Sequence, residues 1–259
     1  VLLRKKCKDE GYSFMIKIGK EEQGEVEQLL KTHLGSLTGK YGFSFHVVDM
    51  REINRKVHTR ELTLSSLLSD KELQYLLGLK NKKNYIQWIS GRYAVKSAFF
   101  KYKYEEHSVM DLKCVDVLRG EDSAPYILQY PDICVSITHS FPYCIGVVSK
   151  RKIGIDIERV FNPKDALIKR YFSGKERERL ESLLGTEEYP KEATVLWTRK
   201  EAVSKVLKLG MNMDFKTVDV LSDEIYSIGE DKEAISMSSF TCNDFCLSVA
   251  VGRCCNLKV

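Results

Sequence analysis

The side chains of this chain whose types and spacing can do chemistry fall in three short segments, KIGIDIE, WTRKEAVSK and ITHS. In KIGIDIE, Ile153, Ile155 and Ile157 alternate with Gly154, Asp156 and Glu158. A strand sends alternate residues to opposite faces, so burying the isoleucines turns both carboxylates the other way. Carboxylates at i and i+2 of a strand can share one hard cation. Mg²⁺ takes one or two protein carboxylates and keeps its other positions for water and phosphate oxygens. The plain alternative is an edge strand with a solvated face. In the helix around WTRKEAVSK, Leu196, Val203 and Leu207 form an apolar stripe. At about 100° per residue, Glu201 and Lys205 lie on roughly the opposite side, one turn apart. Such a pair is also an ordinary solvated Glu/Lys pair, worth a few tenths of a kcal/mol. Within ICVSITHSFPYCIGVVS, Thr138, His139 and Ser140 sit between apolar strands. A histidine among hydroxyls can donate to a phosphate, or simply serve in a turn.

The elements that must position these residues are repeated along the chain. FHVVDMRE (45 to 52) resembles IGIDIERV (153 to 160), SDKELQYLL (69 to 77) resembles SGKERERLE (173 to 181), and WISGRYAVKS (88 to 97) resembles WTRKEAVSKV (197 to 206). Asp49 thus falls opposite Asp156, Ser69 opposite Ser173 and Trp88 opposite Trp197, in the same order at nearly constant separation. Two copies of one strand, loop and helix unit, packed about a pseudo-twofold axis, leave a cleft between them, and clefts of this kind are favoured ligand sites. Trp88, Arg92 and Lys96 would then stand where Trp197, Glu201 and Lys205 stand in the second copy, cations facing a carboxylate.

The expected fold is α+β, a pseudodimer of two similar α/β halves with the active site in the cleft. Residues 1–150 are expected to form the first half and 151–259 the second, which carries the metal and catalytic motifs. Helices are expected at 84 to 101 and 192 to 208, and strands in CVSI, CIGVV, KIGIDIE and FCLSVAV. Asn243 and Asp244 mark a C-terminal hairpin.

Bulk properties narrow the function. With 259 residues and 43% hydrophobic content the chain can bury a substantial core. A formal charge of +5 is too small to argue for nucleic acid but favours phosphates and acidic proteins. Eight cysteines without a CxxC pair or a histidine cluster argue against zinc and for reduced core thiols. The opening VLLRKKCKDEGYS has charges after three apolar residues, and no run of about 18 apolar residues occurs, so a cytoplasmic protein without membrane association is expected.

THS at 138 to 140, GIDIE at 154 to 158 and WTRKEAVSK at 197 to 205 together resemble the surfactin-type 4'-phosphopantetheinyl transferases. That resemblance, spanning roughly residues 85 to 215, implies a Mg²⁺-dependent enzyme with coenzyme A in the cleft. It would move the phosphopantetheine arm to a serine of an acyl or peptidyl carrier protein, as a monomer whose second half replaces a partner subunit. It implies Asp156, Glu158 and Glu201 as metal ligands, and Glu201 or a metal-held water as the base. Lys205 would stabilise the departing adenosine 3',5'-bisphosphate, and Arg92, Lys96, Thr138, His139 and Lys205 would hold coenzyme A phosphates. Where the family has Gly-Lys-Pro, this chain has Ser123, Ala124 and Pro125, so that lysine is absent and Arg119 or Lys113 is left to substitute. The rival of the same fold is an inactive coenzyme A binding protein. A magnesium phosphohydrolase of unrelated fold would explain the paired carboxylates but neither the WTRKEAVSK helix nor the repeat, and a basic binding module rests on net charge alone.

Overall fold

The structure is a computed structural model and describes residues 20–79, 82–104, 111–226 and 234–254; the opening segment, with Cys7, and Cys255 lie outside them. Helix α1 (Lys20–Tyr41) leads into strand β1 (Phe43–Asp49), then α2 (Met50–Thr59), α3 (Leu64–Leu67), α4 (Asp70–Gly78) and the long α5 (Lys82–Lys103). Strands β2 (Val117–Arg119), β3 (Pro125–Ile127), β4 (Cys134–Ser140) and β5 (Tyr143–Ser149) follow. Then β6 (Arg151–Arg159) precedes α6 (Asp165–Tyr171), α7 (Gly174–Glu181) and the long α8 (Glu188–Leu207). Strands β7 (Glu224–Tyr226), β8 (Ala234–Cys242) and β9 (Phe245–Cys254) complete the described chain.

These strands form two antiparallel sheets, one of five strands in the order β1-β5-β4-β3-β2 and one of four in the order β6-β9-β8-β7. The C-terminal hairpin forms as expected, Cys242 pairing with Phe245 across a turn in which Asn243 takes a φ of 46°. The isoleucines of β6 behave as their alternation requires. Ile153, Ile155 and Ile157 join Phe43, Phe45 and Val47 of β1, residues of β5 and β9, and Leu30 and Leu34 of α1 in one core that spans both sheets.

Each long helix lies on its own sheet, and in each case a glycine lets the backbones close. A Cβ on Gly146 of β5 would stand 2.6 Å from the Val95 amide of α5, and one on Gly154 of β6 would stand 1.9 Å from the Ala202 carbonyl of α8. Neither strand could carry a larger residue there without displacing its helix.

The repeat is real, and its deepest feature is a buried ion pair. In the first half Ser69 caps α4 in a capping box with Glu72; in the second Ser173 caps α7 with Glu176. The Glu72 carboxylate also receives Lys96 Nζ (2.5 Å) and the Val117 amide (3.0 Å). The Glu176 carboxylate receives Lys200 Nζ (2.8 Å) and the Val220 amide (2.9 Å). All four charged side chains are 0% exposed. The structural counterpart of Lys96 is therefore Lys200, not Lys205. The expected matching of Arg92 to Glu201 and Lys96 to Lys205 is corrected accordingly: that register aligned the tryptophans and slid the helices five positions apart.

Among the described cysteines, Cys144, Cys242 and Cys246 are buried free thiols, Cys114 is an exposed one, and Cys134 is disulfide-bonded. Among the described residues no helix is long and apolar enough to cross a membrane.

Substituting Gly154 by alanine drives a methyl group into the Ala202 carbonyl. We expect urea unfolding to show a loss of about 3 kcal/mol, the upper end of ordinary overpacking, and a wild-type midpoint would show that α8 does not bear on β6 at this point.

Candidate active site

The two halves meet along β4 and β6, joined by side chains. Backbone N–H groups on the edge of a sheet must find acceptors when buried. Here Ser136 Oγ accepts from Ile155 N (3.2 Å), Thr138 Oγ1 from Ile157 N (3.0 Å) and Ser140 Oγ from Arg159 N (3.1 Å). Three alternate hydroxyls of β4 thus cover three alternate amides of β6, with the strands running the same way. Because Ser136, Thr138 and Ser140 face β6, His139 between them faces away, exposed to the cavity beside the seam.

Thr138 does a second job: its Oγ1 donates to Asp156 Oδ1 (3.0 Å). Lys205 Nζ, reaching from α8, donates to the same oxygen (2.7 Å) and to the Ile155 carbonyl (2.8 Å). Asp156 is 6% exposed, and its other oxygen, Oδ2, is buried without a hydrogen-bond partner. A buried carboxylate oxygen left bare is costly unless something binds it.

Two further carboxyls feel Asp156. Burial, reinforced by the Asp156 charge and partly offset by Lys205, pushes Glu158 up to about 7. Burial and then the Asp156 charge likewise raise Glu201, again against Lys205. The three expected metal ligands are thereby brought to one place where their charges oppose each other. As they stand, no three His, Cys, Asp or Glu side chains among the described residues are gathered into a ready metal cluster. The donor set nevertheless fits a hard dication: all oxygen, mutually repelling, and holding one unpartnered buried oxygen.

Beside them opens a cavity of about 510 Å³ walled by both halves. From the second half come Glu201, Ser204 and Lys205 of α8, with Lys152 and Lys208. From the first come Trp88 and Arg92 of α5, Arg119, the 122–125 loop, and His139. Arg92 is held against the wall by Nε donating to the Val117 carbonyl (3.2 Å) and by its guanidinium lying 4.2 Å from the Trp88 ring centre. Burial lowers its pKa to about 10, which leaves it a cation at neutral pH. Tyr75 stacks on Trp88 (5.4 Å), adding an aromatic edge. Five cations, Arg92, Arg119, Lys152, Lys205 and Lys208, outnumber the two carboxylates Asp122 and Glu201, so the cavity suits a polyanion with an apolar or aromatic part.

Of the residues expected to hold phosphates, Arg92, His139 and Lys205 line this cavity and two do not. Lys96 is sealed in its ion pair with Glu72, its ammonium also bonded to the Leu67 carbonyl (2.8 Å). Thr138 is buried and committed to Asp156 and Ile157, so its hydroxyl orients a carboxylate instead of meeting a phosphate. Arg119 reaches the cavity next to the 123–125 segment, whereas Lys113 stands elsewhere, beside Asp111 (3.9 Å). Lys152 and Lys208 also line the cavity, and no sequence motif marks them. Lys152 is set by the start of β6, and Lys208 by a left-handed turn (φ 56°) ending α8. The buried lysines were legible in principle, because in both copies the lysine follows the capping-box glutamate at the same spacing of 24 residues.

Residues 152–250 match the family model described as the 4'-phosphopantetheinyl transferase superfamily. A holo-(acyl-carrier-protein) synthase of Onion yellows phytoplasma (strain OY-M) is 25% identical over 118 residues, 41% of this chain and 92% of that protein. Among solved structures, the holo-(acyl-carrier-protein) synthase from Bacillus anthracis str. Ames in complex with CoA (3',5'-ADP) is 19% identical. That match covers 41% of this chain and 91% of the other, with a TM-score of 0.35. The Helicobacter pylori enzyme in complex with coenzyme A is 20% identical, with 41% and 97% covered and a TM-score of 0.34.

A carboxyl whose folded pKa lies above its unfolded value stabilises the fold below the unfolded value and loses that contribution as pH rises through the folded one. Through Glu158 the metal-free protein therefore loses stability progressively as pH rises from about 4.5 to 7. Discounted for partial exposure, the loss is of order 2 kcal/mol. Melting curves in EDTA across this range should fall for the wild type and fall less for Glu158→Gln; equal slopes would show that Glu158 is not raised.

Proposed function

We propose that this chain is a surfactin-type phosphopantetheinyl transferase, which moves the 4'-phosphopantetheine group of coenzyme A to a serine of an acyl or peptidyl carrier protein and releases adenosine 3',5'-bisphosphate. The observation that carries this reading is the placement of the matched GIDIE and WTRKEAVSK residues. Asp156, Glu158, Glu201 and Lys205 act on one another electrostatically, and Glu201 and Lys205 among them line a cationic cavity whose other wall the first half builds. The reading also assigns residues 1–150 to coenzyme A binding and 151–259 to metal and catalysis, in a monomeric cytoplasmic enzyme.

Coenzyme A brings a pyrophosphate and a 3'-phosphate, and Arg92, Arg119, Lys152, Lys208 and His139 line the wall that would face them. Asp156, Glu158 and Glu201 would hold Mg²⁺, which would supply charge neutralisation beside the pyrophosphate. The transferring step forms a bond from the carrier serine Oγ to the phosphorus bearing the pantetheine and breaks the bond to the adenosine 3',5'-bisphosphate oxygen. Little covalent work falls to the protein in such a transfer, so positioning and electrostatics dominate. Glu201 is the chain's own candidate for the serine proton, since burial and Asp156 raise its basicity. Lys205, with two of its three N–H donors spent on Ile155 and Asp156, has one left to meet the negative charge on the departing oxygen. Thr138 and Lys205 together hold Asp156 Oδ1 and leave Oδ2 bare for the cation.

Incubation with coenzyme A, Mg²⁺ and an apo carrier protein should add a phosphopantetheine mass to the carrier. Asp156→Ala and Glu201→Ala should lower the transfer rate by at least about a hundredfold in folded protein, the scale of losing one transition-state electrostatic contact. Wild-type rates in either variant would remove the proposed site. No mass shift, with coenzyme A still bound, would identify the inactive binding protein instead.

Arg92→Ala should raise the KM for coenzyme A about tenfold or more, as loss of a charge-assisted contact does. A wild-type KM would mean that the Arg92 wall does not touch the ligand.

A further inference from the structure

We propose that the two buried pairs Glu72–Lys96 and Glu176–Lys200 are positioning devices, each dedicated to one wall of the cavity. The proposal rests on the transferase reading and adds to it a division of labour that the motifs do not contain. Each pair ties a long helix to a capping box and to a distant backbone amide through one carboxylate. On the second side Lys200 also donates to the carbonyls of Phe215 (2.7 Å) and Val218 (2.6 Å), so its ammonium is fully satisfied inside the protein. Such a contact resists rotation of the helix about its axis, because turning would strand a buried charge.

The anchors are equivalent, but the two helices display different residues from them. On α8 the working groups follow the anchor: at 100° per residue Glu201 lies about 100° and Lys205 about 140° round from Lys200, on the cavity side. On α5 they precede it, Arg92 lying one turn before Lys96 and about 40° round. Arg92 is tied to the same anchor a second way. Its Nε donates to the carbonyl of Val117, whose amide is held by Glu72. The first anchor therefore sets Arg92, the cation that α5 presents to coenzyme A, and the second sets the carboxylate and amine that act in transfer. Neither pair lines the cavity, so both act through other residues.

The test measures kcat and KM for coenzyme A in the full chain, with calorimetric binding of coenzyme A alongside. Glu72→Gln and Lys96→Met should raise KM and weaken binding about tenfold while kcat stays within about threefold. Glu176→Gln and Lys200→Met should lower kcat about tenfold or more with KM and binding within about threefold. If a single variant does not fold, the pairs Glu72→Gln with Lys96→Met and Glu176→Gln with Lys200→Met leave no unpaired buried charge, and the same split is expected of them. Folded variants that lose only melting temperature, or that all move the same parameter, overturn the proposal while leaving the transferase reading intact. A wild-type chain that neither binds coenzyme A nor modifies a carrier overturns both.

Discussion

The seam between β4 and β6 is the constraint on which the site depends. A strand at the edge of a sheet exposes a row of amides, and burying that row without acceptors would be prohibitive. Ser136, Thr138 and Ser140 supply the acceptors from the neighbouring sheet. Two consequences follow from the same geometry. The second sheet can be docked on the first with its edge satisfied, and the alternation that aims the hydroxyls at β6 necessarily aims His139 the other way. The middle hydroxyl also fixes Asp156, so the contact that joins the halves orients the carboxylate at their junction.

Around that seam the molecule uses one construction twice and then departs from it. Both long helices close on a glycine of their sheet, and both are held by a lysine sunk onto a capping-box glutamate. Burying an ion pair brings little net stability compared with apolar packing, but losing one partner is severe, so such pairs favour one arrangement over its neighbours. Identical anchoring with different display explains how a duplicated frame presents Arg92 from one long helix and Glu201 with Lys205 from the other.

The electrostatics of the site follow from its depth. Asp156, Glu158 and Glu201 would be unremarkable on a solvated strand and helix. Placed where β6 meets α8, they lose water and repel each other, which raises Glu158 and Glu201, and Asp156 Oδ2 is buried without a hydrogen-bond partner. Lys205 offsets part of this charge, which is why an i, i+4 pair that would count for little on an exposed helix becomes part of the chemistry here.

Much of this was readable from local pattern. The alternation in KIGIDIE, the spacing in WTRKEAVSK and the turn at Asn243 are properties of consecutive residues, set by strand and helix periods that no distant contact changes. What only the tertiary structure decided was the fate of groups whose partners lie far along the chain. Lys96 and Arg92 sit one turn apart on the same helix, and composition treats them alike. One is sealed because Glu72, 24 residues earlier, is waiting for it; the other reaches the cavity. Thr138 read as a phosphate donor until β6, 18 residues on in Asp156, claimed its hydroxyl. Lys152 and Lys208 carry no motif, and they join the site only because the halves close around it. Desolvation and long-range pairing assign these roles, and both depend on what a residue packs against, which its own neighbours in sequence do not specify.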